Sequence, residues 1–89
     1  MNLLFEDEGT KKKINIVIEP YKKVYEAIIL YKIMAKVKEC DTVLFMFNGK
    51  RVNYNLKIYE SGLSDNSLIS VVLMKENLSG AYSLFNFIK

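Results

Sequence analysis

Along the first twenty residues apolar side chains recur at every second position, at Leu3 and Phe5 and again at Ile14, Ile16 and Ile18. Between these runs stands Asp7-Glu8-Gly9-Thr10, which is acidic and contains a glycine. Two alternating runs around such a segment predict a β-hairpin over 2–6 and 12–18. Pro20 ends the second strand, because it has no N–H to give to the ladder. From Lys23 to about Lys38 neither Gly nor Pro occurs, and the apolar spacing changes from two to about 3.6. That spacing predicts a helix with Val24, Ala27, Tyr31, Met34 and Ala35 facing the core and Ile28 and Leu30 flanking them. Lys32 and Lys36 fall on the opposite side together with Ile29 and Ile33. Two isoleucines there are unexpected if the helix covers a sheet with one side only.

Alternation returns at Val43, Phe45 and Phe47, with Leu44 and Met46 between them, and predicts a third strand. Asn48-Gly49 follows. Both residues tolerate positive φ, so the pair signals a tight hairpin turn into a short strand near Lys50–Val52. Residues 53–62 read as loop with one helical turn near Ile58–Glu60, and Leu68–Met74 reads as the last strand. The order is ββαββ–loop–β, an α+β pattern with one helix across a mixed sheet. No internal repeat, linker or low-complexity tract interrupts it.

Alternation also sorts the two faces of the sheet. Leu3, Phe5, Ile14, Ile16, Ile18, Phe45, Phe47, Ile69, Val71 and Leu73 point toward the helix. Leu4, Leu44, Met46, Ser70, Val72 and Met74 point away from it, with Leu68 at the edge. This outward set is too apolar for a solvated face. Contiguous exposed apolar area beyond a few hundred Å² usually marks an interface. At about 25 cal/mol per Å², covering about 400 Å² is worth roughly 10 kcal/mol before association costs of similar size. The candidate protein-binding residues are therefore Leu4, Leu44, Met46, Leu68, Val72 and Met74, with Ile29 and Ile33 on the helix. The methionines suit an adaptable contact.

Composition narrows the chemistry. Eighty-nine residues make one domain that buries roughly 60–65% of its unfolded surface. Apolar residues make up 51%, close to the globular average, which argues against disorder. Cys40 is the only cysteine and histidine is absent, so one chain holds neither a disulfide framework nor a Cys/His metal site. Histidine-based triads and acid–base chemistry are excluded with them. Cys40 reads as a small buried hydrophobe near the helix end. The polar loop residues Glu60, Ser61 and Asp65 read as turn-forming and capping groups. No nucleophile, base and oxyanion donors cluster, so the pattern points away from an enzyme and implies no cofactor.

The net charge of +3 invites a nucleic-acid reading, but of thirteen basic residues only Arg51 is an arginine. Readers of bases and phosphates favour the bidentate arginine fork, so the lysines read as a solvated surface. The longest apolar runs are far too short to span a bilayer, and Glu6, Asp7 and Glu8 stand where a targeting segment would be apolar or basic. The expected setting is intracellular, cytoplasmic or nuclear. Residues 77–89, NLSGAYSLFNFIK, form an apolar tail whose Tyr82, Leu84, Phe85, Phe87 and Ile88 call for a protein surface, of this chain or of a partner. Membrane docking is disfavoured, since Lys89 is the tail's only cation and stable anchoring takes more than one signal.

Several of these features resemble ubiquitin over about residues 1–76. They are the opening Met-x-Leu-Leu-Phe, Glu19-Pro20 after the second strand, Phe47-x-Gly49-Lys50, and gapless spacing from Gly49 to Leu73. Val52, Ile58, Leu63, Ser67 and Val72 fall where ubiquitin has the same or a similar residue type. The resemblance implies a β-grasp fold and a surface that acts by recognition, with Met46 and Val72 matching two aliphatics of ubiquitin's recognition patch. It also implies that the first, third and last strands are neighbours. The activatable diglycine tail is missing: Leu73-Met74-Lys75-Glu76-Asn77-Leu78 stands in its place. The resemblance thus points to a non-conjugated ubiquitin-like interaction module or small subunit of an assembly. The alternative is a modifier made as a precursor and processed after Gly80. Lys50, matching a chain-linking lysine, reads as an exposed strand lysine.

Overall fold

The computed structural model describes residues 1–38 and 41–74. The expectations for Cys40, Gly80 and the tail residues Tyr82, Leu84, Phe85, Phe87 and Ile88 lie outside them. Strands β1 (Asn2–Asp7) and β2 (Lys13–Val17) form the first hairpin, and helix α1 (Val24–Ala35) follows. Then come β3 (Thr42–Phe47), β4 (Lys50–Arg51), a 3-10 turn at Ile58–Glu60, and β5 (Ser67–Met74). The five strands lie in the order β2-β1-β5-β3-β4. β5 pairs in parallel with β1 and antiparallel with β3, so the last strand is the centre of a mixed sheet.

Turn chemistry fixes the two hairpins. Asp7 accepts from the N–H groups of Gly9 (2.8 Å) and Thr10 (3.1 Å) through Oδ1, which folds the β1–β2 connection. Asn48 at φ +52° and Gly49 at φ +77° form the tight β3–β4 turn, where a residue without a Cβ costs least.

The start of α1 and the 3-10 turn are built alike. Lys23 N–H donates to the Glu26 carboxylate (3.0 Å), and Lys57 N–H donates to Glu60 (3.1 Å). The sequences are Lys-Val-Tyr-Glu and Lys-Ile-Tyr-Glu, a short recurrence inside a chain without longer repeats. The two turns meet through an antiparallel bridge, in which Val24 N–H donates to Leu56 O (2.9 Å) and Ile58 N–H to Lys22 O (2.8 Å). Each donates its backbone across the seam and buries its side chain fully. The long 53–66 connection is thereby tied to the helix, and Asp65 ties it to the sheet by accepting from Asn2 N–H (2.6 Å).

The core is one cluster. Leu3, Phe5, Ile16, Ile18, Phe45, Ile69 and Val71 from the sheet pack on Val24, Ala27, Ile28 and Tyr31 of the helix, closed by Ile58 and Leu63. Ile14, Val43 and Phe47 pack at its margin. Phe5 stacks on Tyr31 at 4.8 Å between centroids, and Phe45 meets both edge-on at 5.9 and 5.8 Å. Such offset and edge-on pairs add about 0.5–1.5 kcal/mol each beyond burial.

Three details depart from the sequence reading. The helix ends at Ala35 instead of near Lys38. Lys36 turns left-handed at φ +56°, Lys36 N–H donates to Ile33 O, and Val37 N–H donates to Lys32 O. This is a Schellman stop without its usual glycine, held by Val37 folding back onto the core. Met34 was expected inside and is 57% exposed, whereas Ile28, expected at the flank, is buried. The buried arc centres between Val24 and Tyr31, and at 100° per residue Met34 stands about 70° off that centre, in the last turn.

Candidate functional site

The outer face of the sheet follows from register. Leu4 lies beside Leu68 in the parallel β1–β5 pair. Leu44 lies opposite Val72, and Met46 opposite Ser70, in the β3–β5 pair. Leu68 and Val72 flank Ser70 along β5, so both are diagonal neighbours of Met46. These five apolar residues form one continuous patch across the three central strands, on the side away from the helix. Leu68 is exposed, while Leu4, Leu44, Met46 and Val72 are half-buried, each screened by its cross-strand neighbour. Met74 lies opposite Thr42 at the end of the same row. Charges border the patch: Glu6 pairs with Lys13 on one side, and Arg51 stands opposite Met46 on the other.

The second candidate surface lies on α1. Ile29 is 50% exposed and Ile33 67%, on the side turned from the sheet. Tyr25, Leu30 and Met34 are exposed with them. Apart from Glu26 and Lys32 the helix is apolar, which ordinarily marks a buried helix, yet half its circumference faces outward. Sequence reading named Ile29 and Ile33 but missed Met34, Leu30 and Val17, the last being exposed on edge strand β2 beside Ile29 and Leu30. The signal for Val17 was available in the alternation with Ile16 and Ile18. The signal for Met34 was not, since it depends on where the sheet ends beneath the helix.

The two surfaces lie on opposite sides of the molecule, so register does not merge Ile29 and Ile33 with the sheet-face residues. Neither surface brings reactive groups together. Among the described residues no three His, Cys, Asp or Glu side chains converge as metal ligands would. Glu60 accepts from Lys57 N–H, Ser61 Oγ donates to Ile58 O (2.7 Å), and Asp65 accepts from Asn2, so the polar loop residues serve as caps and ties. Tyr31 has its phenol pKa raised above 10.0, chiefly by burial and secondarily by the Asp7 carboxylate. That keeps a core hydroxyl neutral. What the geometry offers is surface. No described helix is long and apolar enough to cross a membrane.

A single helix packed on a five-stranded mixed sheet in the order β2-β1-β5-β3-β4 is the ubiquitin-like β-grasp, of class α+β. Solved structures bear this out: 177 solved chains are similar. One belongs to the structure described as "Molecular Mimicry of SUMO promotes DNA repair"; it aligns with a TM-score of 0.69 at 21% identity, covering 81% of this chain and 89% of its own. No protein-family model and no curated protein sequence matches the chain.

Proposed function

We propose that the chain is a non-conjugated ubiquitin-like interaction module, or a small subunit of a larger assembly, working in the cytoplasm or nucleus. It binds a protein partner through Leu4, Leu44, Met46, Leu68 and Val72, with Met74 at the margin. The observation that carries this reading is the continuous apolar patch across β1, β5 and β3, on the face the helix leaves uncovered. The β-grasp fold supports it, and so does a neighbour described as mimicking SUMO. Lys75-Glu76-Asn77-Leu78 in place of a diglycine supports recognition over conjugation. The bordering Glu6, Lys13 and Arg51 suit a partner with an apolar centre and a mixed-charge rim.

The test is Met46→Asp with Val72→Asp. Both side chains are half-buried and lie outside the core cluster, so the double variant keeps its fold and its cooperative melt. Two unpaired carboxylates in the middle of an apolar contact lower partner affinity by at least about 100-fold, or roughly 2.7 kcal/mol. Affinity capture from the native cell, with co-eluting chains identified and then titrated in pure form, reads the effect. Equal capture by the folded double variant defeats the sheet-face mechanism. Intact-mass measurement of the native protein decides between this reading and the modifier: a chain ending at Gly80 favours the modifier, and one ending at Lys89 excludes it.

A further inference from the structure

We infer that the chain's own C-terminal segment, through Leu84, Phe85, Phe87 and Ile88, docks on the outer face of α1. This is independent of the sheet-face reading, since it concerns the opposite side of the molecule.

The first argument is the helix itself. Tyr25, Ile29, Leu30, Ile33 and Met34 give α1 an exposed apolar surface along its whole length, more open than the sheet face with its mutually screened side chains. The second is where the described chain stops. β5 ends at Met74, and Leu73 lines a cavity of about 240 Å³ against Tyr31, Ala35 and Val37 at the C-terminal end of α1. That cavity shares Lys36, Val37, Lys38 and Asp41 with a second hollow, which reaches Ile33. One helical turn further back, Ile29 and Leu30 line a third hollow against Val17 and Ile18. A succession of hollows floored by apolar side chains, and rimmed by Lys36, Lys38, Asp41, Lys22 and Glu26, thus leads from the end of β5 along α1.

Length and composition fit. Residues 75–81 can extend about 23–25 Å, and α1 is about 18 Å long, so residues 82–88 can reach any point on its outer face. In that stretch the polar Ser83 and Asn86 stand three apart, with aromatic and aliphatic residues between and beside them. One side of the segment can therefore stay wet while the other is covered. A segment tethered this closely acts at an effective concentration on the order of mM, well above that of a second copy in dilute solution.

The experiment uses the full chain with its isoleucine, leucine, valine and methionine methyls labelled, compared with Phe85→Ser/Phe87→Ser. The expected result is cross-relaxation between the Phe85 and Phe87 rings and the Ile29 and Ile33 methyls, unchanged on dilution and lost in the double variant, where both methyl resonances shift. Cross-relaxation from the rings to Leu44, Met46 or Val72 would place the segment on the sheet and overturn the inference. Contacts found only between separately labelled chains would assign the face to a second copy, and unmoved methyls would leave it uncovered; either overturns it. Ile33→Asp gives a reciprocal reading, because Ile33 is exposed and its replacement leaves the core intact. Chymotrypsin should then cut after Phe85 and Phe87 at least about tenfold faster, since cleavage follows the open population. An unchanged cleavage rate counts against docking.

Discussion

Replacing Phe45 and Met46 by alanine, one at a time, sets adjacent residues of β3 against each other across the sheet. Phe45 is buried beneath α1 and touches three rings, those of Phe5 (5.9 Å), Tyr31 (5.8 Å) and Tyr54 (6.4 Å), all edge-on. Its removal deletes the aromatic centre of the core, and a Phe→Ala change at such a site costs about 3–5 kcal/mol. A domain of this length has a total stability of about 4–13 kcal/mol, so Phe45→Ala removes a large share of it. Phe45→Leu keeps most of the volume and loses about 1–2 kcal/mol, chiefly the ring contacts. Met46 points to the other face, is half-buried against Ser70 and Arg51, and lies outside the core cluster. Met46→Ala therefore costs under about 1 kcal/mol. Urea unfolding followed by circular dichroism separates these outcomes, since an m-value of about 1 kcal/mol per M turns Phe45→Ala into a midpoint shift of roughly 3 M or more. Equal losses at the two positions would refute the division into a core face and a recognition face, and with it the proposed site.

Three further outcomes follow from the geometry. Because Tyr31 has its pKa raised in the fold, the unfolded chain gives up this proton first as pH rises. Its contribution is complete below about pH 10 and is lost above it, so Tyr31→Phe should flatten the alkaline fall in melting temperature; an unchanged slope would show that Tyr31 is not the group responsible. Lys36 holds φ +56° at the helix end, where glycine carries no Cβ strain, so Lys36→Gly should raise stability by about 0.5–1 kcal/mol in a thermal melt, and a loss would mean the Lys36 stem packs usefully. Glu26→Ala and Glu60→Ala each remove the acceptor for a Lys N–H at the joined turns and should cost about 0.5–1 kcal/mol apiece in urea, with a non-additive double variant because the turns share a bridge.

Features that depend on near neighbours along the chain were legible from the residues alone. Period-two alternation marked the strands and sorted Leu3, Phe5, Phe45, Ile69 and Val71 from Leu4, Leu44, Met46 and Val72, because successive side chains must leave a pleated strand on opposite faces. Asn48-Gly49, Pro20 and the turn near Ile58–Glu60 were legible for the same reason: their constraints are local. The strand order came from likeness to ubiquitin, since no local rule places β5 between β1 and β3. The rest waited on packing between elements. Packing set which arc of α1 faces the sheet, burying Ile28 and leaving Met34 in the open, because the helix's near-uniform apolarity carries little directional information. It stopped the helix at Lys36, where Val37 gains more by folding onto the core than by another turn. It joined Lys23 to Lys57 through backbone hydrogen bonds across 34 positions of sequence. And it brought residues from three strands into one apolar surface, a property of register that no single strand contains.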